Sequence, residues 1–255
     1  MYLIDTHAHL YLPEYDVDCK EVITRALDKG IERILLPNID SKHTDLMLNL
    51  CQKYPENCFP MMGLHPTYVK QNYKEELFHV EEMLSKHRFV AVGEIGIDLY
   101  WSKEFIDLQI DAFKFQIELA LKYQLPIVVH ARNSMREILD ILSDYKDTGL
   151  KGVLHCFSGT YQEGIEAIEY GFLLGIGGVI TYNKSEQEKI APHIPLEHII
   201  LETDSPYLSP VPHRGKRNES SYLYFVAEKL AKLTHKSIDE IALATTRNAV
   251  KLFGF

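Results

Sequence analysis

Short apolar runs alternate with longer amphipathic stretches along the whole chain, and this rhythm limits the possible folds more than any other feature. Residues 2–6, Glu32–Pro37, Cys58–Gly63, Phe89–Gly93, Pro126–His130, Gly152–His155, Phe172–Ile176 and His198–Glu202 read as strands. Helical spacing covers Val17–Lys29, Ser41–Tyr54, Tyr73–Lys86, Lys103–Tyr123, Ser134–Leu142, Tyr161–Tyr170 and Ser185–Ile190, and two closing helices cover Glu219–Thr234 and Ile238–Leu252. Strands that are apolar on both faces belong in a parallel sheet covered by helices. About eight β–α steps, with no linker or low-complexity segment between them, predict a single (β/α)8 barrel of the TIM type over residues 1–255. An open doubly wound sheet is the lesser option. No Gly-x-Gly-x-x-Gly follows the first strand, which weakens its dinucleotide-binding form. Gly175–Gly178 reads as a tight turn at the barrel rim.

Residues able to bind metal recur where the strands end. His7 and His9 follow the first strand. On extended backbone, positions i and i+2 face the same side, about 6.6 Å apart, so two imidazoles can hold one divalent ion. His65 follows the third strand, Glu94 and Asp98 the fourth, and Asp204 the eighth, while His130 and His155 end the fifth and sixth. A barrel brings all these strand ends to one rim. Singly, His130 or His155 is better read as a satisfied core histidine, and Glu94 or Asp204 as a helix cap. Together, the four histidines His7, His9, His130 and His155 and the two carboxylates Glu94 and Asp204, without matching basic partners, make a costly pocket unless a divalent cation neutralises it. His43, His79, His87, His193, His198 and His235 are expected to be solvated, and His213 is a lesser candidate for the pocket.

The formal net charge of −9 argues against a broad basic face that coats duplex nucleic acid. It leaves room for a metal-centred enzyme that grips one or two phosphates locally. Cys19, Cys51, Cys58 and Cys156 form no Cys-x-x-Cys pair and read as reduced thiols of a cytoplasmic protein. No signal peptide and no membrane anchor are expected.

Six stretches now fall into a familiar order: Asp5-Thr6-His7-Ala8-His9, Gly63-Leu64-His65-Pro66, Gly93-Glu94-Ile95-Gly96, Val129-His130, His155-Cys156-Phe157-Ser158-Gly159 and Glu202-Thr203-Asp204-Ser205-Pro206. In combination the chain resembles the TatD family of metal-dependent deoxyribonucleases, within the amidohydrolase-like barrels. The resemblance extends to Arg214-Gly215-Lys216-Arg217-Asn218-Glu219 and Thr246-Arg247-Asn248-Ala249. It implies two divalent ions per chain. His7, His9 and Asp204 would hold one, and Glu94 would bridge to a second held by His130 and His155. Many amidohydrolases bridge with a carboxylated lysine; Glu94 at that place suits the nuclease branch. Leu99, where an aromatic is common, and Ser220, where a proline is usual, depart from the family pattern and bear on substrate preference.

This ligand set suits Zn2+ or Fe2+ as well as the Mg2+ or Mn2+ expected in activity. Two ions about 3.5–4 Å apart activate a shared water and clamp an in-line displacement at phosphorus. Asp204 would orient or deprotonate the nucleophile, Glu94 would set the metal separation, and His65 would hydrogen-bond the scissile phosphate or the leaving oxygen. Asp5 and Glu202 are expected to orient ligand imidazoles. Arg132 and the basic loop of Arg214, Lys216 and Arg217 would contact phosphates, and Trp101 could stack a terminal base, with rim packing as the blander reading. The expected function is a DNase acting exonucleolytically on single-stranded DNA ends, with no membrane and no obligate protein partner. An amidohydrolase acting on a small ester, lactone or amide through the same metals is the alternative. A metal-binding scaffold that has lost its chemistry is a third reading.

Overall fold

Eight parallel strands follow one another in chain order in the computed structural model, which describes residues 2–101 and 103–255. They are β1 (Leu3–Asp5), β2 (Ile31–Pro37), β3 (Cys58–Met61), β4 (Val92–Asp98), β5 (Ile127–Arg132), β6 (Gly152–Leu154), β7 (Phe172–Ile176) and β8 (Ile199–Leu201). Regular ladders join β1–β2–β3 and β4–β5–β6–β7–β8. Two single-bridge seams link these arcs. Met62 pairs with Val92, supported by Gly93 N–H to Met62 O at 2.9 Å; Ala8 pairs with Ser205, supported by Thr6 N–H to Leu201 O at 3.1 Å. The ring is therefore a (β/α)8 barrel, as the β–α rhythm predicts.

The helices are α1 (Cys19–Asp28), α2 (Thr44–Lys53), α3 (Tyr73–Lys86), α4 (Ile106–Tyr123), α5 (Met135–Ser143), α6 (Tyr161–Glu169), α7 (Glu186–Ile190), α8 (Leu223–Thr234) and α9 (Ile238–Phe253). Capping boxes start two of them, Thr160 with Glu163 at α6 and Ser237 with Glu240 at α9. Most helices bury an apolar stripe toward the strands, as α5 does with Ile138, Leu139, Ile141 and Leu142, whereas α3 packs on α4. None of the described helices is long and apolar enough to cross a membrane.

A second apolar cluster contains Ile4, Leu35, Met61, Val128, Val153 and Ile200, with Ala249 and Phe253 of α9 packed against it. Residues two apart on a strand share a face. The residues one pleat beyond Val128, Val153 and Ile200 are His130, His155 and Glu202, so the strand period that builds this cluster also stacks the polar residues above it.

β4 departs from expectation. The apolar run suggests a strand over Phe89–Gly93, but the strand covers Val92–Asp98 and carries Glu94 and Asp98 inside it. Charged residues can occupy a buried strand here because histidines from other strands pair with both. Gly96 allows the close approach to β5: a Cβ there would lie 2.1 Å from the His130 carbonyl oxygen. β7 has the expected bounds, Phe172–Ile176, so of the rim turn read over Gly175–Gly178 the first two residues belong to the strand. The expected helix over Glu219–Thr234 begins with a 3-10 turn at Ser220–Tyr222, and α8 proper starts at Leu223.

Candidate metal centre

The β1–β8 seam places the first ligands. His7 O accepts the Asp204 N–H at 2.9 Å, and His9 N–H donates to Ser205 O at 2.7 Å, so residues nearly two hundred positions apart share one rim. Asp204 sits in the left-handed region, at φ 56°, which Asp tolerates better than most residues. Asp5 accepts the Thr203 N–H at 2.9 Å and the Thr203 hydroxyl at 2.7 Å. It therefore fixes the backbone of the seam. The expectation that it orients an imidazole is not met, because Thr203 takes its oxygens first.

Glu94 stands at the middle, and its two oxygens face different partners. Oε2 lies 3.1 Å from His7 Nε2 and 3.6 Å from His9 Nε2. Oε1 lies 2.9 Å from His130 Nδ1, 3.3 Å from His65 Nε2 and 3.7 Å from His155 Nε2. Asp204 Oδ1 lies 3.8 Å from His7 Nε2, 3.7 Å from His9 Nε2 and 3.9 Å from His155 Nε2. Three overlapping groups each keep their ligand atoms within 4.8 Å of one another: His7, His9 and Glu94; His7, His155 and Asp204; His65, Glu94 and His130. The structure thus brings together the six residues of the expected ligand set, and adds His65.

Hydrogen bonds separate ligand from donor within this cluster. The His65 Nδ1 accepts the Thr67 backbone N–H at 3.1 Å. A neutral His65 must then carry its proton on Nε2, which points at Glu94. His65 is accordingly a donor into the cavity although its distance alone would admit it as a ligand. His155 turns Nδ1 toward Glu202 Oε1 at 3.0 Å, which leaves Nε2 for the centre. Glu202 Oε1 accepts the Cys156 N–H, so this carboxylate stands beside the imidazole without a hydrogen bond to it, and Gly175 makes room for it: a Cβ on that glycine would lie 2.5 Å from the carboxylate.

Asp98 belongs to the site, and sequence reasoning assigned it no role. Its Oδ2 lies 2.9 Å from His130 Nε2, and its Oδ1 accepts the backbone N–H groups of Tyr100 and Trp101. The signal was present: Glu94 and Asp98 are four apart on one strand, and even spacing on a strand means one face.

Burial sets the protonation of the centre. It holds His7 and His155 below the usual imidazole range and His9 well below it, so their lone pairs are available near neutral pH. Burial also pushes Asp204 and Glu202 up to about 7 and Asp5 up to about 6. Burial acts upward on Glu94 too, but the imidazoles of His65, His7 and His155 outweigh it and keep the carboxyl well below its usual range. His130 is the reverse case. Burial lowers it, but its bonds to Asp98 and Glu94 prevail and raise it to about 9. Buried, neutral imidazoles converging on carboxylates one of which is shared form a donor set that suits divalent metal.

The centre opens into a cavity of about 610 Å3, within the usual range for small-molecule sites. Tyr68, Trp101, Arg132 and Tyr207 line its walls. The basic loop does not reach it. Asp18 binds Arg217 through two bonds, at 2.7 and 2.6 Å, and Arg214 stacks on Tyr182 at 4.3 Å. Arg214 and Arg217, expected to contact phosphates, do not line this cavity; Arg217 is paired with Asp18, while Arg214 stacks on a ring with its N–H edge still able to donate. His213 stacks on Tyr222 at 4.0 Å rather than lining the pocket. Two histidines expected to be solvated also have partners: His43 lies against Asp40, and His79 bonds Thr44 at 2.9 Å.

Comparison with known proteins follows the same outline. The family model described as TatD related DNase matches residues 4–254. The chain is 36% identical over 252 residues to the uncharacterized metal-dependent hydrolase YabD of Bacillus subtilis, covering 98% of each chain. It is 32% identical over 257 residues to the uncharacterized metal-dependent hydrolase YcfH of Escherichia coli, covering 99% of this chain and 96% of that one. Among solved structures, the TatD homologue YjjV of Escherichia coli superposes with a TM-score of 0.93 at 29% identity, covering 99% of this chain and 98% of YjjV.

Proposed function

Because this chain belongs to the TatD-related DNase family and is a metal-dependent hydrolase, we propose that it hydrolyses DNA phosphodiester bonds, exonucleolytically and from single-stranded ends. The observation that carries this reading is Glu94, whose two oxygens serve two groups of histidines. In this reading two divalent ions are held per chain. His7, His9 and Asp204 would hold one, His130 and His155 the other, and Glu94 would serve both; Mg2+ or Mn2+ would be the ion in activity. Such ions, when bound, supply Lewis acidity at the phosphoryl oxygens and acidify water.

The protein's own groups do the rest. Asp204, whose Oδ1 faces His7, His9 and His155, has a second oxygen with which it can take a proton from the attacking water. His65 directs its Nε2 proton into the cavity, where it can meet a phosphoryl or leaving oxygen. Glu202 Oε1, 3.0 Å from His155 Nδ1, lies on the side of the ring away from the centre, so Nε2 faces the cavity. Arg132 is the one Lys or Arg among the described residues lining the cavity. A single cation at the mouth, on a chain of net charge −9, favours capture of one chain end over tracking along a backbone.

Digestion of end-labelled single- and double-stranded DNA tests this reading, after EDTA treatment and return of Mg2+ or Mn2+. Metal-dependent release of nucleotides from single-stranded ends is expected, together with its loss in Asp204→Asn. No release from DNA, with turnover of lactones or small esters instead, would move the assignment to the amidohydrolase alternative, which uses the same residues.

A further inference from the structure

Beyond β4 the chain turns through Tyr100 and Trp101, and this turn hangs from Asp98. One oxygen of that carboxylate accepts the two backbone N–H groups, at 3.0 and 3.2 Å, while the other holds His130 at 2.9 Å. Asp98 is also the register partner of Arg132 on β5. The Arg132 guanidinium carbon lies 3.9 Å from the centre of the Tyr100 ring and 5.4 Å from that of Trp101. The two rings meet edge to face, 5.1 Å apart at 86°, so the guanidinium sits in the corner they form.

Two features of this corner call for a ligand. Trp101 lines the cavity wall yet is 70% exposed. Large aromatic rings carry a heavy apolar load, and an indole left open beside a cavity loses contacts that a flat partner would restore. Arg132 makes no ion pair among the described residues and, unlike the other arginines without one, lines the cavity. The other exposed aromatics of the cavity serve differently. Tyr68 lies edge-on to His65 at 6.2 Å and Tyr207 edge-on to His9 at 6.3 Å, so both wall the metal-binding groups.

We propose that Trp101 and Arg132 form a nucleobase subsite. The base of the substrate's end nucleotide stacks on the indole, and the guanidinium N–H groups, steadied by Tyr100, meet its phosphate. Base-on-aromatic stacking tolerates any sequence because every base has a π face, which suits an enzyme working inward from an end. Arginine serves this place better than lysine, since it packs flat on a ring while its edge still donates. The substrate class rests on the nuclease reading above, but the subsite has a signal of its own: Trp101 is the chain's single tryptophan, so its fluorescence reports on this corner alone.

Titration of the intact protein with dAMP, deoxyribose 5-phosphate and inorganic phosphate, each with and without Mg2+, tests the subsite. Saturable quenching by dAMP is expected, with binding at least tenfold tighter than that of the base-free sugar phosphate. Trp101→Ala should weaken dAMP about tenfold when binding is followed by calorimetry, within the range for one stacked base. Arg132→Ala should weaken dAMP and phosphate alike. Emission that responds equally to all three compounds, or to none, would overturn the subsite. Base-dependent quenching without any DNA cleavage would uphold the subsite and remove the nuclease reading. DNA cleavage with a Trp101→Ala KM equal to that of the unaltered protein, and no quenching, would do the opposite.

Discussion

The Tyr11 hydroxyl lies 3.1 Å from His9 Nδ1 and gives its own proton to the Pro37 carbonyl oxygen, 2.6 Å away. A carbonyl oxygen can only accept, so the phenol oxygen must accept from His9, and His9 carries its proton on Nδ1. The Nε2 lone pair is thereby aimed at Glu94 and Asp204. Tyr11→Phe removes the acceptor and frees the other tautomer. Metal affinity measured by chelator competition should fall by about 10- to 100-fold, the usual cost of losing such a partner. Unchanged affinity would mean that His9 is held by packing alone.

Metal affinity should depend on pH through Asp204 and His130. Asp204 has its carboxyl raised to about 7, so below that pH a proton competes with the ion for the same oxygen. The Asp204 contribution to apparent affinity should rise with pH up to about 7, by as much as tenfold per unit, and then flatten. His130, raised to about 9, must also give up a proton if Nδ1 becomes a ligand. Calorimetry in buffers of different ionisation enthalpy should record proton release at pH 7. A pH-independent affinity between 5 and 8 would remove Asp204 from the ligand set.

Asp98 couples the centre to the substrate wall. Asp98→Asn keeps the shape but removes the charge that holds His130 and the acceptor strength that holds the Tyr100–Trp101 turn. Activity should drop by about 10- to 100-fold. In the same variant, dAMP-dependent quenching of Trp101 should weaken. A loss of activity with quenching intact would confine Asp98 to the metal side.

Far from the cavity, Glu219 binds Arg25 through two hydrogen bonds, at 2.9 and 2.6 Å. Burial raises the Glu219 carboxyl, but its bond to Arg25 outweighs this and lowers it below the usual range. A depressed carboxylate adds stability above its unfolded pKa and loses it as pH falls through the folded value. Glu219→Gln should cost about 1 kcal/mol at pH 7, discounted for the exposure of Arg25. The difference from the unaltered protein should shrink below about pH 4.5. A difference constant from pH 7 to pH 3 would mean that charge is not what the pair contributes.

Much of this architecture is readable in the chain. Apolar runs mark the strands, and His7, His9, His65, His130, His155 and Asp204 stand where those runs end, because a barrel exposes only its strand ends to a shared rim. Two things were hidden. One is the set of partners of Asp98: the apolar pattern stops its strand at Gly93, whereas His130 on β5 and the Tyr100 and Trp101 N–H groups make a charge inside the strand tolerable. Arg217 looks free in a basic loop, but Asp18, 199 residues away, neutralises it. Local pattern reveals which residues can do chemistry; partners distant in sequence decide which of them are left free to do it.

The shared carboxylate of Glu94 is the centre of the account, and electron paramagnetic resonance of the Mn2+-loaded protein tests it most directly. Two Mn2+ per chain with an exchange-coupled spectrum are predicted, and Glu94→Gln should lose the coupling. A single ion, or two ions that remain uncoupled in the unaltered protein, would contradict it.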